Sequence, residues 1–147
     1  AFDNYMDNWD GKPLLIFYQY QHDKDMIANS LTDMDIDFAT LDSKHGMAAF
    51  LANKVPVLLL HPKSAGHGLN LHTGGACNIL CYAPIWSHDQ HKQLVGRLWR
   101  RGQANTVTVD TLVAVNTVDA IKIHRVIDKG EYDVAFKNHL AEISATK

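Results

Sequence analysis

The sequence has few of the features expected of a secreted or membrane-spanning protein. Its 147 residues include only two cysteines and four prolines. Cys77 and Cys81 lie in an apolar stretch without metal-finger spacing, so we expect them to be buried, reduced thiols. No apolar run approaches the ~20 residues needed to cross a bilayer, and the acidic, aromatic start of the chain is unlike a signal peptide. We therefore expect a cytoplasmic protein without a membrane partner.

Positive charge is also scarce, and it is unevenly placed. The formal net charge is −2 and the sequence pI is about 6.5, so no global positive field indicates nucleic-acid binding. The chain has only four arginines, and Arg97, Arg100 and Arg101 fall within five positions. Any contact with nucleic acid would have to be local.

Hydrophobic periodicity predicts strands that alternate with helices. The strands are expected over 14–18, 36–41, 55–60, 79–83 and 107–115, and the helices over 22–31, 45–53, 87–101, 117–128 and 131–144. This alternation is typical of an α/β fold in which a mainly parallel sheet is covered by helices on both faces, forming a three-layer sandwich. We expect one domain over 1–147, with 129–147 as a peripheral C-terminal helix. The abrupt start suggests that more protein preceded it.

A glycine-containing loop follows the most apolar predicted strand. Gly66 and Gly68 would let the backbone approach a ligand closely, while Ser64 and Asn70 offer small polar groups to phosphate or sugar oxygens. The alternative is a tight turn that needs glycine only for its geometry.

The arginines belong to a second segment, at 93–103. Ser87 and Gln90 have the spacing of a capping box, which would start a helix there. At 100° per residue, one stripe holds Gln93, Gly96, Arg97 and Arg100, and the opposite side holds Leu94, Val95 and Leu98. We expect the apolar side to pack on the sheet and both arginines to point to solvent or to a partner. A solvated charged face is the alternative.

Two details weaken that alternative. The stretch between Lys92 and Gln103 contains no acidic residue that could neutralise the arginines. Gly96 inside a helix also costs about 1 kcal/mol relative to alanine, which suggests that something approaches the helix closely at this point.

Both segments resemble motifs of the SWI/SNF-like helicases. The loop at 64–71 resembles motif V, and the pattern Gln-x-x-Gly-Arg-x-x-Arg-x-Gly-Gln at 93–103 resembles motif VI. Residues 85–87, centred on Trp86, are similar to the segment before motif VI. Residues 14–19 are similar to motif IV, and residues 117–119 to the sequence that opens the helix after the last strand. The motifs occur in the family's order over 14–128.

The compact bacterial and bacteriophage type of this family is the best match, because the connection between motifs IV and V is short. Two departures from the chromatin-remodelling enzymes agree with this assignment. Trp99 stands where those enzymes commonly carry histidine, and the stretch 41–55 is shorter than theirs. We therefore expect a bacterial cell or a phage-infected host rather than a eukaryotic chromatin remodeller.

The resemblance implies the second RecA-like lobe of a motor, facing a first lobe across an ATP cleft, with DNA bound across both lobes without sequence preference. ATP and Mg²⁺ would be held mainly by the first lobe, and the protein would be monomeric. The implied arginine fingers are Arg97 and Arg100. The implied nucleotide-binding residues are Gly66, Gly68, Asn70 and Gln93, and the implied DNA-binding residues are Lys63, Ser64, Ala65 and Trp86.

Other classes of protein fit less well. The histidines near the two segments match no standard zinc arrangement, Ser64 is not in a nucleophile elbow, and a dinucleotide-binding loop would need a third glycine. The chain also contains neither a Gly-x-x-x-x-Gly-Lys-Ser/Thr loop nor an Asp-Glu pair, so we expect it to be inactive alone. A non-catalytic lobe that binds nucleic acid or protein remains an alternative.

Overall fold

A computed structural model describes residues 1–63, 70–85 and 87–114 of the chain. Within these ranges the helices are α1 Phe2–Asp7, α2 Gln21–Asp33, α3 Lys44–Leu51 and α4 His88–Val95, with a 3-10 helix at Leu71–Gly74. The strands are β1 Leu14–Phe17, β2 Phe38–Thr40, β3 Val57–Leu60, β4 Asn78–Cys81 and β5 Thr108–Thr111. None of the helices in these ranges is long and apolar enough to span a membrane.

The described strands form one sheet in the order β2-β3-β1-β4-β5, and every pairing in it is parallel. β1 lies at the centre, where Leu15 pairs with Leu58 of β3 and with Ile79 of β4. The parallel α/β fold predicted from the sequence is confirmed. All strands therefore end at the same edge of the sheet.

Helices cover both faces of this sheet. Side chains of a strand alternate between its faces, so β1 sends Leu15 and Phe17 to one side and Leu14 and Ile16 to the other. The first side packs against α3, α4 and the turn that follows α4, through Phe50, Leu94 and Leu98 respectively. The second packs against α1 and α2 through Phe2, Met6, Ile27 and Leu31. This is the predicted three-layer arrangement.

The sequence did not predict α1. It has only six residues, and isolated helices of that length are unstable in water. Phe2 and Met6 lie four residues apart and are both buried, and the ring of Phe2 contacts that of Tyr82 with centroids 5.5 Å apart. Packing on the sheet, rather than local propensity, therefore stabilises α1.

Some predicted boundaries were wrong. β2 begins at Phe38 rather than at 36, and α4 ends at Val95 rather than near 101. The helices predicted over 117–128 and 131–144 lie outside the described residues.

Candidate nucleotide and DNA site

The predicted DNA-binding residue Lys63 lies on the turn that follows β3, at the edge where the strands end. Its backbone N–H donates to Nδ1 of His61 over 3.1 Å, and Nε2 of His61 lies 3.0 Å from the carbonyl oxygen of Gln19. The His61 ring also contacts that of Tyr18, with centroids 5.5 Å apart. His61 thus links the ends of β1 and β3, and the Lys63 backbone is fixed beside it. Sequence reasoning did not identify this role of His61.

A second cation lies at the same edge. The ammonium group of Lys24 forms a salt bridge of 3.1 Å with Asp42 and lies 6.0 Å from the centre of the Tyr18 ring. A backbone hydrogen bond of Asp42 itself, followed by the hydrogen bond from Lys24, lowers the pKa of the Asp42 carboxyl group. Lys24 is therefore already paired, which makes Lys63 the better candidate of the two for a contact with DNA.

Several of the predicted site residues lie outside the described ranges. They are Ser64, Ala65, Gly66 and Gly68 of the glycine loop, together with Trp86. Their proposed contacts with nucleotide or DNA remain predictions.

Asn70 leads from the glycine loop into the 3-10 helix. Its carbonyl oxygen accepts a hydrogen bond of 3.2 Å from the Thr73 hydroxyl, and the next residue, Leu71, is fully buried. At Gly74 an added Cβ would lie 3.0 Å from the backbone of Leu51 in α3, so this helix packs closely on α3. The Asn70 side chain is thereby placed on a fixed support.

Helix α4 begins where the sequence predicted. The Ser87 hydroxyl oxygen accepts a hydrogen bond of 3.3 Å from the Gln90 backbone N–H, which satisfies one of the N–H groups that a helix start leaves without a partner. Leu94 is buried on the inner side of the helix, and Gln93 is exposed on its outer side.

The arginines lie on an irregular turn beyond α4, which we call the arginine turn (residues 96–102). The Arg97 N–H bonds to the Leu94 carbonyl at 3.0 Å, and the Leu98 N–H bonds to the Val95 carbonyl at 3.1 Å. These three-residue bonds wind the chain more tightly than an α-helix does. Gly102, with φ of +99°, ends the turn in a conformation that favours glycine.

This tightening overturns one prediction. Arg97 is only 4% exposed, whereas the helical stripe placed it on the outer face beside Arg100. Burial, followed by the positive charge of Arg100, lowers the pKa of the Arg97 guanidinium. Because the helix stops at Val95, Arg97 turns toward the core together with Leu98, which was expected there. Arg100 is exposed, as expected.

Gly96 also differs from expectation. It has a φ of −62°, which any residue can adopt. The nearest atoms to an added Cβ would be the Lys92 and Gln93 carbonyl oxygens of the preceding helix α4, at 3.2 and 3.5 Å. Among the described residues, no other element therefore approaches this glycine.

Arg100 joins the two motifs. Its Nε donates to the Gly96 carbonyl over 2.6 Å, and its Nη1 donates to the Asn70 side-chain oxygen over 2.5 Å. The fold thus brings a predicted arginine finger and a predicted nucleotide-binding residue together, although they are 30 positions apart.

The arginine turn is not at the carboxyl edge of the sheet. Gln103 binds the Ala76 carbonyl, two residues before β4 begins, which places the turn near the amino end of β4. Parallel sheets usually bind ligands beyond the carboxyl ends of their strands, and Lys63 lies at that edge. The segment from Asn70 to Ala76 follows the glycine loop in the chain. It lies beside the arginine turn in space, because Asn70 bonds to Arg100 and Ala76 bonds to Gln103. In the described ranges, no group of three or more side chains could hold a metal ion.

Comparison with known proteins bears on the family and the fold of the chain. No protein-family model matches the chain. A putative protein p41 of Acyrthosiphon pisum secondary endosymbiont phage 1 is 30% identical over 85% of this chain. The DNA excision repair protein CSB of Oryza sativa subsp. japonica is 32% identical over 81%, and the DNA repair protein rad5 of Neurospora crassa is 33% identical over 71%.

These relatives are much longer proteins. The chain spans 27% of the phage protein, 10% of the rice protein and 9% of the Neurospora protein. Among solved structures, the C-terminal part of the Fun30 ATPase domain matches with a TM-score of 0.74 at 19% identity, over 91% of this chain and 45% of that one. This likeness shows the fold alone.

The chain has the RecA-like α/β fold that the sequence predicted. The predicted resemblance is confirmed, because the relatives of this chain are SWI/SNF-like helicases and its structural neighbour is the C-terminal part of an ATPase domain.

Proposed function

We propose that this chain is the second motor lobe of an ATP-dependent DNA helicase or translocase. ATP and Mg²⁺ would be bound mainly by a first RecA-like lobe, and DNA would lie across both lobes. The relatives, named for DNA repair, support this proposal. The observation that carries it is the exposed guanidinium of Arg100, which two protein oxygens hold in place.

The chemistry of Arg100 fits a phosphate in an interlobe cleft. Phosphoryl transfer is accelerated by fixed positive charge around the transferring group. A guanidinium has five N–H donors, and the bonds to Gly96 and Asn70 use two of them. The remaining three can serve a phosphate without any loss of the anchoring contacts. Arg97, the second predicted arginine finger, is buried and would act through the positive charge that it adds close to Arg100.

The DNA track would pass the carboxyl edge of the sheet. Lys63 supplies a cation at a turn fixed by His61, and Ser64, Ala65 and Trp86 would extend the contact. Gly66, Gly68, Asn70 and Gln93 would line the nucleotide side. Such contacts to the DNA backbone give salt-sensitive binding without sequence preference.

The test is the DNA-stimulated ATPase of a complete two-lobe protein that contains this chain. We expect Arg100→Ala to lower turnover by on the order of 10³-fold, and Arg100→Lys to restore little, since a point charge does not reproduce the planar fork. Arg101→Ala is the matched control, because it removes the same charge from an exposed neighbouring position. Wild-type turnover in Arg100→Ala would instead favour the non-catalytic lobe.

A further inference from the structure

The arginine turn needs a support that α4 does not provide. The α-helix ends at Val95. The Trp99 N–H still bonds four residues back, to the Val95 carbonyl at 2.8 Å, but the Arg100 N–H bonds only two residues back, to the Leu98 carbonyl at 3.1 Å. Trp99, within this turn, is 74% exposed, so it adds little packing. Leu98 packs in the core and Gly96 accepts a bond from the Arg100 side chain, and contacts from outside the turn add to this support.

The side chain of Gln103 supplies such contacts. Its Nε2 donates to the Leu98 carbonyl inside the turn over 3.0 Å and to the Ala76 carbonyl over 2.9 Å. Its Oε1 accepts from the Asn105 backbone N–H over 3.1 Å. A carboxamide offers two N–H donors and a carbonyl acceptor, and here both kinds of group are used.

The sheet holds the Ala76 end of the contact that Gln103 makes. Ala76 is fully buried, and the carbonyl oxygen of the next residue, Cys77, accepts a hydrogen bond of 2.8 Å from the Thr108 N–H of β5. Gln103 therefore ties the arginine turn to the start of β4 and to the sheet. Asn70 also contacts this turn, through the guanidinium of Arg100.

We propose that Gln103 is a positioning residue, whose carboxamide clamps the arginine turn to the start of β4 and thereby sets where the guanidinium of Arg100 lies. The clamp concerns the geometry of this chain, and only its effect on ATP turnover rests on the proposed function. Neither donor can be supplied by a carboxylate, so Gln103→Glu keeps the size of the side chain but turns two attractive contacts with carbonyl oxygens into repulsive ones.

The first measurement is backbone hydrogen exchange in a complete protein that contains this chain. We expect Gln103→Glu to speed exchange in peptides covering 96–102 by on the order of tenfold, while peptides covering β3 stay unchanged, because local opening is independent of global unfolding. Gln90→Glu is the matched control: it makes the same chemical change at an exposed position on α4. Unchanged exchange at 96–102 in Gln103→Glu would overturn the proposal.

The second measurement is the DNA-stimulated ATPase of the same variants, with kcat and KM determined separately. A misplaced catalytic group costs about 10²-fold in rate, and an interaction made only in the transition state lowers kcat with little change in KM. We therefore expect Gln103→Glu to lower kcat by on the order of 10- to 100-fold, with KM for ATP nearly unchanged and Gln90→Glu like wild type.

The two measurements separate the possible failures. If Arg100→Ala abolishes turnover but Gln103→Glu leaves kcat unchanged, the positioning role is refuted. If neither variant alters turnover while exchange at 96–102 rises, the clamp stands and the proposed function fails. Should Gln103→Glu not fold, Gln103→Met removes the same hydrogen bonds without adding a charge, and the same outcomes decide.

Discussion

His91 makes the stability of this lobe depend on pH. It lies on the buried side of α4, and burial, followed by the charge of His88, lowers its pKa from 6.5 to about 4. In the unfolded chain the same imidazole would titrate at its ordinary value. The folded and unfolded states therefore differ in proton binding between about pH 4 and 6.5.

The sign and size of the effect follow from that difference. Near pH 7.5 the imidazole is neutral in both states and has no effect on stability. As the pH falls below 6.5, the unfolded state binds a proton that the folded state does not bind, so the free energy of unfolding decreases. One pKa unit corresponds to about 1.4 kcal/mol, which gives a loss of about 2 kcal/mol at pH 5 and about 3 kcal/mol below pH 4.

The assay is urea unfolding at pH 7.5 and pH 5, comparing the change in the free energy of unfolding between the two pH values. We expect His91→Gln to lose about 2 kcal/mol less than wild type over this interval, whatever its stability at pH 7.5. His45→Gln removes an exposed histidine from α3 and should behave like wild type. An identical pH-dependent loss in His91→Gln and wild type would refute the reasoning.

Three further predictions concern stability and binding. Arg97→Ala should lower the free energy of unfolding by about 1–2 kcal/mol, because it removes buried methylene groups. Arg100→Ala should change it by less than about 0.5 kcal/mol. Equal denaturation midpoints for the two variants would contradict the burial of Arg97. Gly46→Ala should destabilise by about 1–3 kcal/mol, since its Cβ would lie 2.6 Å from the Thr40 carbonyl oxygen, and an unchanged melting temperature would contradict this close packing. Lys63→Ala should weaken DNA binding equally for all sequences and reduce the salt slope by about one, which titrations at several salt concentrations would test; a loss confined to one sequence would speak against a backbone contact.

Much of the architecture could be predicted from local patterns. The continuous apolar runs that became β1 and β3 are what a strand buried on both faces requires. Ser87 was identified as a helix start because its hydroxyl and the Gln90 N–H are close in sequence as well as in space. The order of the motifs likewise indicated the family, since it depends only on the sequence.

The tertiary structure decided the geometry of the arginines. A helical projection assumes that the helix continues, but α4 stops at Val95, and packing turns Arg97 inward. The bonds from Arg100 to Asn70 and from Gln103 to Ala76 join residues 30 and 27 positions apart. No local sequence pattern predicts such pairs, because their members come together only when the chain folds into the sheet. The sequence by itself determined which residues carry the charge, and the folded sheet determined where that charge is held.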